Sequence, residues 1–240
     1  MAGLEAHSSP RDIESRILAA IRAATSCRSF TTATMHRIRS ALTIRRHFPM
    51  ATVREGNKGV LLIVDVQVGV MREAWDAPRV ITNMARAMER ARAVGAPVIW
   101  VQHSGTDLVL GSPEWQWVPE LAPERGELLV HKRFNSSFEQ TGLEEHLAGL
   151  GATHIALAGA ATNWCIRATA YGALERGYDL TLIKDAHTTG SMELENGARI
   201  EAESVIQDLN VAMTWLSYPG RKNGTATAEA VDFATRDNPT

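Results

Sequence analysis

Cysteine is almost absent from this chain: two in 240 residues, Cys27 and Cys165. That is too few for a disulfide framework, and neither sits in a CxxC or a Cys/His zinc spacing. A structural zinc is therefore not expected, and a reducing, cytoplasmic compartment is. Long apolar runs are missing as well. The best one, Val60 to Val64, is closed by Asp65, far short of the roughly 18 residues that a membrane helix needs. Nor is there an excess of charge: 25 Lys+Arg against 27 Asp+Glu leave −2, which gives no electrostatic reason to expect a nucleic-acid or membrane partner. Several catalytic signatures are lacking too. There is no GxSxG elbow, no GxxxxGK(S/T) phosphate loop, no HExxH and no GxGxxG after the first strand. Phosphatase chemistry would need Arg six positions after Cys165, where Tyr171 stands. A redox role lacks a resolving partner near Cys165.

One further absence is local. Ser15 to Arg54 contain no acidic residue and no Lys, and residues 1–54 carry 9 basic against 3 acidic groups, whereas 55–240 carry 16 against 24. Three readings compete for this segment. An Arg-rich amphipathic start with Ile13, Ile17, Leu18 and Ile21 on one helical face would suit organellar import, although Glu5, Asp12 and Glu14 count against it. Translation starting at Met50 would make the first 49 residues an over-extended start. A disordered basic tail is the third reading. The expected organisation is an extension over 1–54, a domain over 55–218 and a polar, loosely ordered tail over 219–240.

What is present is a repeating pattern. Gly59 to Val66 is an unbroken Val/Ile/Leu run, as in a strand covered on both faces of a parallel sheet. Similar short runs recur at Pro97 to Gln102, Glu127 to His131, His154 to Ala158, Asp179 to Ile183 and Val211 to Leu216. Helical stretches fall between them: Pro78 to Val94, with Val80, Met84, Met88 and Ala91 on one stripe, then Leu143 to Leu150, Cys165 to Arg176 and Glu193 to Asp208. Gly95, Gly151 and Gly177 stand where C-caps belong. The alternation predicts a three-layer α/β/α sandwich around a six-stranded, mostly parallel sheet. Ligands of such sheets bind beyond the carboxyl ends of the strands. The residues to inspect are therefore Asp65, His103, Lys132, the turn Gly159 to Cys165, and Asp185 to Thr189. Gly105 to Arg125, with Trp115 and Trp117, reads as a loop that could lid a pocket.

Cys165 follows the fourth strand and opens a helix, where the macrodipole and free N–H groups favour a thiolate. Asp65 and Lys132 close the first and third strands, and a sheet ordered 3-2-1-4 brings both towards the cysteine. A carboxylate can take the thiol proton, and an ammonium can hold the resulting charges. Taken singly, each residue has an ordinary explanation: a buried cysteine as a small hydrophobe, an Asp as a cap, a Lys-Arg pair as solvated surface. Their coincidence at one sheet edge favours the catalytic reading.

Four motifs in order then resemble the isochorismatase-like cysteine hydrolases, a family that includes nicotinamidases, N-carbamoylsarcosine amidases, ureidoacrylate hydrolases and maleamate amidohydrolases. They are LLIVDVQ, with Asp65 and Gln67; HKRFNSSF, from His131 to Phe138; GAATNWC, from Gly159 to Cys165; and Asp185-Ala186. The resemblance runs from Lys58 to about Leu216. It implies Asp65 as general base, Lys132 as orienting cation and Cys165 as nucleophile. It also implies an oxyanion hole from the backbone N–H groups of Ala161 and Cys165, and a cis peptide at Ala160-Ala161. The implied reaction is cleavage of a small amide or carbamoyl C–N bond through a thioester, in a homo-oligomer without a cofactor.

Nicotinamidases of that family hold a metal through Asp-x-His and further histidines after the second strand. Here VQHSGTD puts Val101 two residues before His103, and no metal is expected. Gln67, Trp75, His103, Phe138, Trp164 and His187 are candidate substrate contacts, each with a packing role as the plain alternative. Two other functions stay open. One is isochorismate-type vinyl ether hydrolysis carried by the Asp. The other is a non-catalytic α/β binding or scaffold protein.

Overall fold

A computed structural model describes Arg54 and residues 56–233. The N-terminal readings, Arg54 apart, and the last seven residues of the expected tail lie outside the described residues. Among the described residues no helix is long and apolar enough to cross a membrane.

Strand β1, Lys58–Val64, is buried from Gly59 onward, and its alternating side chains divide between two cores. Val60, Leu62 and Val64 face one; Leu61 and Ile63 face the other. A strand apolar on both faces belongs in the middle of a covered parallel sheet. The sheet is completed by β2 (Val98–His103), β3 (Leu128–Lys132), β4 (Ala152–Ala160), β5 (Asp179–Thr188) and, at its far edge, β8 (Asn223–Ala226). Their order is β3-β2-β1-β4-β5-β8, and every neighbouring pair is parallel. After β1 come a single turn of helix, α1 (Val68–Met71), and α2 (Ala77–Ala93), which lays Val80, Met84, Ala87, Met88 and Ala91 on the second core. The opposite face is covered by α3 (Leu143–Leu150), α4 (Arg167–Glu175) and α5 (Ala202–Trp215) through Leu147, Ala170, Leu174, Leu209 and Met213. The expected three-layer sandwich with six strands is the observed fold.

Three stretches differ from the sequence reading. Val211 to Leu216 is not a strand but the end of α5 and its cap. Leu209 and Met213 are buried one turn apart while Val211 and Trp215 are 56% and 82% exposed, a helical rather than a strand period. The helix expected from Glu193 begins only at Ala202, because Met192–Glu193 (β6) and Arg199–Ile200 (β7) pair antiparallel. Their turn at Asn196-Gly197, with Gly197 N–H donating to Leu194 O at 2.9 Å, carries the Asn-Gly hairpin signal. The sixth strand lies instead within the stretch taken for a loose tail. Leu180 to Ile183 pair with Asn223 to Ala226, and Ala228, Val231 and Phe233 are buried beyond it.

One glycine governs how the sheet delivers the site. At Gly159, φ is +130°, and a Cβ there would lie 2.0 Å from Val64 O. Only glycine lets the end of β4 press so closely against the end of β1.

Candidate active site

Three adjacent strand ends supply three polar side chains in a row. Asp65 follows β1, His103 ends β2 and Lys132 ends β3; His103 and Lys132 are register partners. Asp65 takes a left-handed φ of +52°, a conformation that Asp tolerates better than most residues, while its N–H continues the β1–β2 ladder to Val101 O at 2.8 Å. On the other side of β1, β4 runs through the cis Ala160–Ala161 peptide into a π-helical turn, Thr162–Ile166. Ala161 O accepts from both Trp164 N–H and Ile166 N–H at 3.1 Å. Cys165 lies between those two donors, two residues ahead of α4. The loop after β3 is tied to α4 by Ser137 Oγ and Thr169 Oγ1, 2.8 Å apart, so the second motif is fastened to the helix that follows the third.

The Lys132 ammonium is the hub. Its Nζ lies 2.7 Å from Asp65 Oδ2 and 3.1 Å from Cys165 Sγ. It is also 3.1 Å from Phe134 O and 3.2 Å from His103 Nδ1. Asp65 and Lys132 are 1% and 2% exposed. Asp65, His103 and Cys165 bring an oxygen, a nitrogen and a sulfur within 4.8 Å of one another, a donor set that suits a soft divalent cation. Lys132 Nζ reaches all three, so the cation those donors surround belongs to the protein itself.

The electrostatics correct one expectation. Burial pushes the Cys165 thiol up to about 12, the Asp65 carboxylate adds to the rise, and Lys132 opposes it. Both influences oppose the thiolate that a helix N-terminus favours. Burial also raises Asp65, against the pull of Lys132. Desolvation and then Lys132 lower His103, which is neutral at pH 7. Two groups that each disfavour their anion, the buried Asp65 and the half-buried Cys165, flank one ammonium and are poised to share a proton.

The expected substrate contacts separate into two groups. Trp164, 54% exposed, lines a cavity of about 440 Å³ with Ala161, Val70, Thr189 and Met192. A second cavity of about 450 Å³ is lined by Lys132, Phe134, Leu110 and Ser104. The loop after β2 lines both, with Asp107 and Glu114 at the first and Ser104 and Leu110 at the second. A hollow of about 550 Å³ at the opposite sheet edge, lined by Pro97, Leu128 and Leu150 among others, contains none of the candidate residues.

Gln67, Phe138 and His187 are corrected to internal roles. The Gln67 amide is spent on backbone: Nε2 donates to His103 O at 3.0 Å and Trp115 O at 2.9 Å, and Oε1 accepts from His103 N–H at 2.9 Å. Phe138 lies in the core, stacked on Tyr178 with ring centroids 6.0 Å apart. His187, 1% exposed, bonds Thr162 and Asn210. Trp75 lies outside both cavities' linings and packs under Arg79, whose guanidinium is 5.5 Å from its ring centroid. Asp185 is structural as well, accepting Ala228 N–H at 2.8 Å. Sequence reasoning passed over the Phe134 carbonyl, Thr162 and Asn210. No side-chain signal marks a carbonyl, and Asn210 adjoined a run read as a strand.

Comparison with known proteins converges on one family. A family model described as "Isochorismatase domain" matches residues 59–214. A streptothricin hydrolase from Streptomyces noursei is 35% identical over 136 residues, 54% of each chain. A ureidoacrylate amidohydrolase from Methylobacterium radiotolerans is 28% identical over 178 residues, 59% of this chain and 69% of that one. The chain thus matches about half the length of the first of these relatives. Among solved structures, an isochorismatase from Pseudomonas putida KT2440 superposes with a TM-score of 0.66 at 26% identity, covering 75% of this chain and 93% of that one.

Proposed function

Because the chain belongs to the isochorismatase family, we propose that it is a cysteine hydrolase that cleaves a small amide or carbamoyl C–N bond, with Cys165 as nucleophile, Asp65 as proton carrier and Lys132 as fixed cation. The observation that carries this reading is the placement of one buried ammonium 2.7 Å from a carboxylate and 3.1 Å from a thiol. Named relatives that hydrolyse streptothricin and ureidoacrylate support amide chemistry as the class.

The resting proton lies on sulfur, and Asp65 is the acceptor within the cluster. As the sulfur attacks the carbonyl carbon, its proton passes to Asp65 and the C=O π electrons move onto oxygen. The N–H groups of Ala161 and Cys165, on the turn that carries the nucleophile, receive that oxyanion. Collapse of the tetrahedral intermediate breaks the C–N bond. Asp65 returns the proton to nitrogen, and ammonia or an amine leaves a thioester behind. Water then attacks the thioester, giving one proton to Asp65, which passes it to the departing sulfur. Lys132 stays charged throughout, so the site never holds an isolated buried anion.

A panel of primary amides, ureido acids and carbamoyl compounds, read by ammonia release, tests this reading. Cys165→Ala should keep its fold and lose all turnover; equal turnover in that variant contradicts the mechanism. Hydrolysis of a vinyl ether by wild type and Cys165→Ala alike would transfer the chemistry to Asp65 alone.

A further inference from the structure

The end of β5 holds the nucleophile turn from beneath. His187, Thr188 and Thr189 are consecutive, so the first and third point to one face of the strand and the second to the other. Thr188 Oγ1 donates to Trp75 O at 2.6 Å. On the opposite face Thr189 Oγ1 donates to Asn163 Oδ1 at 2.6 Å, and His187 Nδ1 lies 2.9 Å from Thr162 Oγ1. Both contacts therefore fall on the first two residues of the turn that carries Cys165.

Proton positions along the His187 thread follow from chemistry. Asn210 Nδ2 donates to Lys184 O at 3.3 Å, so Asn210 presents Oδ1, which only accepts, to His187 Nε2 at 3.1 Å. His187 Nε2 must carry the ring proton. In a neutral ring Nδ1 is then an acceptor, and the Thr162 hydroxyl donates to it. Burial, the largest influence, holds His187 down at about 4, so the ring is neutral at pH 7. The thread runs from the turn through β5 to α5 and back to the Lys184 carbonyl with a defined direction at each step.

Building on the hydrolase reading, we infer that His187 is a positioning residue of the reaction: through the Thr162 hydroxyl it fixes the turn that presents the Cys165 sulfur and the N–H groups of Ala161 and Cys165. It touches no reacting atom. Its importance comes from distance sensitivity, since a shift of about 1 Å at a catalytic group can cost on the order of a hundredfold in rate. The contact is made by a buried side chain whose two ring nitrogens are both engaged, where a packing role alone would be met by Leu or Phe.

A positioning role and a packing role give opposite signatures. Thr162→Val deletes one hydroxyl at constant shape, and His187→Leu deletes the ring. Both should lower kcat by about tenfold to a hundredfold with KM unchanged. In the same folded variants a loosened turn leaves Cys165 less buried and farther from Asp65. Iodoacetamide should then modify it faster, and its apparent pKa should fall towards the ordinary thiol value. Thr162→Ser and His187→Gln keep a donor and an acceptor at those points and should restore both readouts. A lowered melting temperature with kcat and alkylation unchanged in Thr162→Val would overturn the inference. If His187→Leu does not fold, Thr162→Val decides. Alkylation requires no substrate, so an activity that survives Cys165→Ala would sink the hydrolase reading while leaving the geometry of the turn measurable.

Discussion

Two buried polar clusters flank the nucleophile turn, and they are built in opposite ways. Around Lys132 the groups are charged or one proton away from it, and the ammonium faces four acceptors with three N–H bonds. Around His187 both hydrogen-bond partners are neutral, and each ring nitrogen has one of them. The first arrangement costs several kcal/mol of desolvation per ion and leaves the proton free to move. The second places a proton at each bond and holds it there. The contrast shows how one sheet edge can serve both needs: charge is buried where bonds must change, and neutrality is kept where the backbone must stay still.

Breaking the charged cluster should have the largest effect. Lys132→Met leaves Asp65 as an uncompensated buried acid; stability in urea should fall by about 3–5 kcal/mol, with activity lost in whatever remains folded. Removing only the proton carrier is a gentler break. Asp65→Asn should reduce kcat by about a hundredfold or more while the protein stays folded, and near-normal turnover would reassign the base.

The neutral cluster is probed best by pH. Burial takes His187 from the ordinary 6.5 down to about 4, against the Asn210 hydrogen bond and then the Asp185 carboxylate, which both favour the charged ring. Between those values the unfolded chain binds the proton and the folded chain does not, so stability from this group is full above pH 6.5 and is lost as pH falls towards 4. The difference is on the order of 3 kcal/mol. Melting temperatures of wild type and His187→Gln measured from pH 7 to pH 4.5 should converge as the pH drops; parallel curves would mean that His187 is not the titrating group. The smallest change concerns Gln67, which serves neither cluster directly. Gln67→Leu strands the amide and carbonyl of His103, so it should lower stability by about 1–3 kcal/mol, read as a shift of the urea midpoint.

Legibility in the sequence followed burial. The strands that form the centre of the sheet announce themselves as apolar runs, and Asp65, Lys132 and Cys165 stand out because each follows or ends such a run. Strand β8 does not, because Asn223 to Ala226 join an edge through backbone bonds to β5, and backbone pairing leaves no mark on side-chain composition. The end of α5 misled because VAMTWL is too short for its period to separate strand from helix. Polar residues at strand ends look alike whether they face the cleft or the interior, which is why Gln67 and His187 were read as substrate contacts. At the Cys165 thiol two influences oppose each other, and their magnitudes differ. A helix terminus is worth about 0.3–1 kcal/mol, whereas burial can move a pKa by several units, and here the neighbouring carboxylate acts in the same direction.

The central claim is that Cys165 keeps its proton at rest because it is half-buried beside Asp65 and gives that proton up only during attack. Alkylation of Cys165 across pH 6 to 11, resolved from Cys27 by peptide mass analysis, tests it directly in wild type and Asp65→Asn. The account predicts a wild-type profile that rises only above the roughly 8.5 of a free thiol and moves to lower pH when the carboxylate is neutralised. A wild-type Cys165 that titrates below that value, unchanged by Asp65→Asn, would show a preformed thiolate and contradict it.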